Sequence, residues 1–169
     1  MTDPDRAARG PRLAAFFLAA EPRLWGDLAE SGTVPVGLEA QARAEWECLA
    51  LDACLRGLVA AGDFRDRTAA DVDEFHTALL EAWSEAGDGA ALAERRDRLR
   101  ARYEEYGAIA RNLESAGAAR VSSSLGGAAA AHACAPAPAP PALAAVFGAM
   151  HESLAEGAAA WLREPDARP

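Results

Sequence analysis

The residues here whose types and spacing could do chemistry are few: three histidines, three cysteines, a serine run and a cluster of arginines. His76 follows Asp73 by three positions. Residues three apart share a helix face, and a carboxylate beside an imidazole tunes its protonation. Tyr103 lies on another apolar stripe, and His151 lies at the margin of a third. Facing helices of a bundle can bring such groups together. Asp73, His76, Tyr103 and His151 therefore form the candidate ligand or metal set. The motifs that would strengthen it are missing. No Glu-x-x-His pair of the di-iron kind occurs, nor His-Glu-x-x-His. A lone His on an apolar stripe reads first as a core residue with a satisfied hydrogen bond. We expect no metal, no cofactor and no assembled catalytic set.

Arg95, Arg96, Arg98, Arg100 and Arg102 make the second candidate, a patch for an anionic partner. They are spread around their helix, and the preceding segment is acidic. Antiparallel pairing would bring Glu81 and Glu85 to the Arg-rich start. Glu94–Arg98 and Arg100–Glu104 have i,i+4 spacing. A self-neutralising helical hairpin is the simpler expectation. Cys48, Cys54 and Cys134 have no C-x-x-C spacing, so they read as buried thiols rather than a disulfide framework or zinc site. Ser122–Ser124 precede Leu125-Gly126-Gly127, with no Lys after the glycines and no Gly-x-Ser-x-Gly. That stretch reads as a flexible loop.

The elements that must position these groups are helical. Ala, Leu, Glu and Arg dominate, and strand-favouring residues are scarce. A first helix is expected near Asp3, from a Thr2/Asp5 capping box, with a break at Gly10-Pro11. Short helices over 12–20 and 22–30 follow, separated at Glu21-Pro22. The second major helix spans 38–61 and is apolar on nearly every side from Cys48 onward, which suits the centre of a bundle. Its polar line is Glu45, Asp52 and Arg56. We expect a solvated seam there; the alternative is a buried pair that fixes helix register or lines a pocket. A third helix starts at Thr68, capped with Asp71, and a fourth spans about 92–116. Ser122–Cys134 is at most a weak helix from Ser124. Ala133–Pro141 reads as an extended Ala-Pro linker. A last amphipathic helix covers 142–163, with a stripe through Leu143, Phe147, Leu154 and Trp161. Trp25, Trp46, Trp83 and Trp161 are expected to anchor packing.

The expected class is all-α: a single bundle of about five to six helices over 1–132, the linker 133–141, and helix 142–163 packing on the bundle or on a partner. A length of 169 residues fits one domain. Net charge of −9 argues against a nucleic-acid or anionic-membrane binder. Arg6, Arg9 and Arg12 before Leu13–Ala20 resemble a signal peptide. However, the run is short, Asp3 and Asp5 sit in the would-be basic region, Glu21-Pro22 follows, and no stretch of 18 apolar residues exists. The cytoplasm is the expected location. The leading functional expectation is a non-enzymatic interaction protein, docking through 142–163 on another chain or on itself. The alternative is a small-ligand- or metal-binding bundle, with enzymatic activity open, around His76.

Overall fold

The computed structural model describes residues 9–62, 66–86 and 89–164. Among them are six α-helices, one 3-10 turn at Glu114–Ala116 and no strand. The helices are α1 (Arg9–Glu30), α2 (Glu39–Ala61), α3 (Asp66–Ala86), α4 (Gly89–Asn112), α5 (Ala118–Cys134) and α6 (Pro141–Arg163). Together they make an all-helical bundle.

Every residue of α2 from Glu45 to Cys54 is buried. That follows from its composition, since a helix with apolar side chains all round needs neighbours on all sides. It touches each of the other helices. Trp46 is sealed within the core, its ring tilted 33° to Phe147 of α6 at 6.0 Å. The polar residues of this stretch are buried too, so the solvated-seam expectation is overturned. Glu45 and Asp52 are held inside because basic side chains reach them there.

Helix α1 runs unbroken through both expected interruptions. Pro11 falls in the first turn, where its missing N–H has no helical partner in any case. Gly10 lies against α3, where a Cβ would stand 2.6 Å from the Asp71 carbonyl. Pro22 does sit inside the helix. Burial of Leu13, Phe17 and Leu28 offsets the ~3 kcal/mol such a proline costs. The Thr2/Asp5 capping box lies outside the described residues. Thr68 lies inside α3 rather than before it, and Asp71 is buried 3.4 Å from Arg9.

The largest difference from expectation is α5. Residues read as a loop and weak helix form seventeen residues of helix, and Ala133 and Cys134 belong to it. The connection is therefore residues 135–140, with a cis Ala135–Pro136 peptide, not a long strut. Gly126 meets Gly148 and Ser122 meets His151, so α5 and α6 run antiparallel. The physical reason is close approach. A Cβ on Gly126 would lie 2.6 Å from the Gly148 Cα and 2.7 Å from the Ala144 carbonyl. On α2, a Cβ on Gly57 would lie 2.6 Å from the Ala155 carbonyl of α6. The stripe of α6 faces inward in cis: Leu143, Phe147, Leu154 and Ala158 are buried against α5 and α2.

Arginines cap the helix ends. Arg9 donates to the Leu58 carbonyl at 3.1 Å and Arg163 to Ala60 at 2.7 Å. Arg12 donates to Trp161 and Glu164 at 3.0 and 2.6 Å. These are the carbonyls that the last turns of α2 and α6 leave without helical partners.

The close crossing makes a sharp prediction. Gly126→Val should lose about 1–3 kcal/mol of stability through overpacking, measured as a lower urea midpoint at unchanged slope. Gly127→Ala has nothing within 4 Å of the added Cβ. It should be neutral or gain up to about 1 kcal/mol from the better helix propensity.

Candidate functional site

The crossing of α2, α5 and α6 carries a chain of four polar side chains. His151, on α6, has no solvent exposure. Its Nδ1 lies 2.9 Å from Ser122 Oγ of α5, and its Nε2 lies 3.0 Å from Asp52 Oδ2 of α2. Arg56 Nε donates to the same Asp52 oxygen at 2.5 Å, one turn along α2. An ionised carboxylate only accepts, so Nε2 carries a proton. In the neutral ring Nδ1 is then bare, and it accepts from the Ser122 hydroxyl. Buried polar groups require such partners, and here each of the three helices supplies one.

Burial pushes the Asp52 carboxyl up, but the His151 hydrogen bond and the Arg56 guanidinium outweigh it. The carboxyl is held below its ordinary range. Asp52 is thus a carboxylate at neutral pH, and it orients the ring. The Cys48 thiol goes the other way, pushed up to about 12 by burial and by the charges of Glu45 and Glu47. Burial raises Cys54 as well. Neither is a thiolate at neutral pH, so neither is a nucleophile there.

A cleft of about 700 Å³ opens over this chain. Leu55, Val59, Val121, Ala155 and Ala159 line it, with Ser122 and His151 in the wall and the charged Arg56, Arg163, Glu152 and Glu156 beside them. The close approaches at Gly57 and Gly126 bring the backbones near enough for these side chains to meet. Gly126 lies one turn from Ser122, and Gly57 lies five residues from Asp52.

The four candidates from the sequence separate into two places. His76 and Tyr103 do meet, Nε2 to Oη at 3.1 Å, with the rings edge-on at 5.7 Å. They line a smaller cleft of about 370 Å³ with Trp83, Arg96 and Arg100. Burial lowers the His76 pKa against a hydrogen bond to the Val72 backbone and the charge of Asp73. The ring is therefore neutral and accepts from the phenol, whose own ionisation burial and the Asp52 charge push up. Asp73 is exposed on the same helix. His151 is not with them; it belongs to the Ser122–Asp52 chain. Among the described residues no group of three or more His, Cys, Asp or Glu could hold a metal ion.

The arginine patch is largely spent within the chain. Arg102 makes a two-point pair with Glu45, at 2.6 and 2.8 Å. Arg95 reaches Glu47 at 2.9 Å and covers the Trp83 ring at 4.4 Å. Arg98 keeps its i,i+4 pair with Glu94 at 3.0 Å. Arg96 and Arg100 are exposed. The acids expected to neutralise this helix were Glu81 and Glu85. The buried acids of α2 take that part instead, because α4 packs on α2 as well as on α3. Glu81 and Glu85 share only a shallow hollow with Arg96. His132, near the end of α5, pairs with Glu105 of α4 at 2.7 Å.

The sequence reads Ser122 only as part of a serine run in a flexible loop, whereas it lies on α5. The Asp52–Arg56 line and His151 are legible there, but not their meeting. A polar line on an otherwise apolar helix was the usable signal. No family model, curated protein or solved structure matches the chain, which leaves geometry and chemistry as guides to function.

The depressed Asp52 pKa fixes a pH dependence. Its stabilising contribution is complete above the ordinary value near 3.8 and is lost as pH falls through the lower folded value. Asp52→Asn should cost about 2–3 kcal/mol at neutral pH. That is less than the ~3–5 for a fully buried pair, because Arg56 is 32% exposed. The gap between the two proteins should shrink as pH drops below 3.8. Denaturant titrations across acid pH measure it, and a gap that stays constant contradicts the assignment.

Proposed function

We propose that the protein binds a small, largely apolar molecule in the cleft between α2, α5 and α6. The observation that supports this reading is the cleft itself, with polar side chains converging on one wall. Its volume of about 700 Å³ falls in the ~300–1,000 Å³ range of small-molecule sites. Seven of the thirteen lining residues are apolar, and Ser122, His151, Arg56, Arg163, Glu152 and Glu156 give the lining its polar character. A molecule with a short hydrocarbon body and one oxygen-bearing group matches that division.

The leading expectation from the sequence is an adaptor, accessory subunit or oligomeric scaffold that docks through 142–163. The apolar face that motivated it is occupied by α2 and α5 within the same chain. Among the described residues the exposed large hydrophobics are Leu18 and Val36, which lie far apart in sequence and do not amount to a patch of interface size. An anionic partner for the arginines fares no better, since Arg95, Arg98 and Arg102 are already paired. No described helix is long and apolar enough to cross a membrane.

A thermal-shift screen with medium-chain carboxylates, alcohols and esters tests the reading. A ligand at 100 times its Kd adds about 2.7 kcal/mol. For a chain of this size that is a Tm rise of about 5–10 °C. Ala118→Trp places a ring at the exposed mouth of the cleft and should abolish the shift without lowering the unliganded Tm. If no compound shifts Tm, or if the shift survives Ala118→Trp, the cleft is not a binding site.

A further inference from the structure

We infer that Ser122 is a nucleophile and that the cleft takes carboxylic esters with a short apolar acyl chain. This rests on the ligand-binding reading and adds a reaction to it. The polar chain meets the cleft at both ends, with Ser122, His151 and Arg56 in its lining. Ser122 is buried at 5% exposure on one side of the sealed His151 ring, and Asp52 with the partly exposed Arg56 stands on the other. A hydroxyl bonded to a bare imidazole nitrogen, with the other nitrogen fixed by a carboxylate, is the arrangement that activates a serine. Nδ1 faces the hydroxyl and Nε2 the carboxylate. Either nitrogen can accept the proton, provided the other is oriented.

The other candidates lack a part. Cys48 and Cys54 stay protonated under burial. The Tyr103–His76 pair has no buried carboxylate on the ring, because Asp73 is exposed on the same helix.

The step balances with water as the co-reactant. Ser122 Oγ bonds to the acyl carbon as its proton passes to His151 Nδ1. The imidazolium is held through Nε2–H on Asp52. Arg56 and Arg163 share the wall of the same cleft with Glu152 and Glu156, and they are the cations available to the oxygen that gains charge. The acyl C–O bond then breaks, and the Nδ1 proton goes to the departing alkoxide. Water repeats the sequence on the acyl-serine, which releases the acid and restores the hydroxyl. Ester and water give acid and alcohol, with no redox partner.

The test is an alkyl fluorophosphonate on the full chain, with the adduct located by peptide mass. One adduct on Ser122 is expected. Asp52→Asn should slow its formation about 100-fold or more, the scale of general-base assistance. Ser153→Ala, at an exposed position of α6, should label at the wild-type rate. The position of the wild-type adduct decides the nucleophile without relying on any variant to fold. No adduct, or an adduct elsewhere, overturns the proposal, as does an Asp52→Asn rate equal to wild type. If labelling fails while carboxylates still raise Tm, the cleft binds but Ser122 does not react. If both fail, the binding reading falls with it.

Discussion

The structure turns on one buried imidazole. His151 sits where α2, α5 and α6 cross, and its two ring nitrogens reach groups on the other two helices. Sealing a polar ring in an alanine- and leucine-rich crossing is unfavourable unless both nitrogens are bonded. Ser122 and Asp52 meet that requirement only if the three helices keep their register. A slip of one turn, about 5.4 Å, would strand all three. Small residues make the register reachable, because Gly57 and Gly126 let the backbones approach closely enough for short side chains to touch. The same register that satisfies the ring leaves the serine at a cleft, so stability and the candidate chemistry share one geometry.

Ion pairs with a similar logic hold the periphery. Glu21, Glu45 and Glu47 are buried acids, and each takes an arginine: Arg43, Arg102 and Arg95. Such pairs add little net stability over apolar packing, but removing one partner is strongly unfavourable. Their effect is therefore on arrangement. They set which face of α1 and of α4 can lie on α2, as the imidazole does for α5 and α6. Three of the five arginines in the basic stretch thus resolve into internal pairs.

The fold class could be read from the sequence because it follows from local rules. Helix-forming composition and the all-round apolar run of α2 both point to a bundle. The continuity of α1 could not, since Gly10-Pro11 and Glu21-Pro22 both read as breakers, and tolerance of Pro22 inside the helix depends on tertiary burial. The helix α5 was hidden for a related reason. Its Ser, Gly and Ala residues carry weak hydropathy, and their use is to permit contact with α6, which no window along one helix displays. The site was half legible. The line Glu45, Asp52 and Arg56 is plain on α2, and His151 is a lone polar residue near an apolar stripe. The partners Asp52 and His151 are 99 residues apart, and no periodicity reports that distance. Ser122 was lost along with its helix.

The most direct measurement is the pair of imidazole nitrogen shifts of His151, read by long-range nitrogen–proton correlation at mildly alkaline pH. The structure requires one fixed tautomer: a protonated Nε2 with a slowly exchanging proton on Asp52, and a bare Nδ1 facing the Ser122 hydroxyl. Ser122→Ala should shift the Nδ1 signal alone, while Asp52→Asn should disturb the Nε2 proton. A ring that averages both tautomers with fast-exchanging protons, as an imidazole in water does, would contradict the buried three-helix junction and the site built on it.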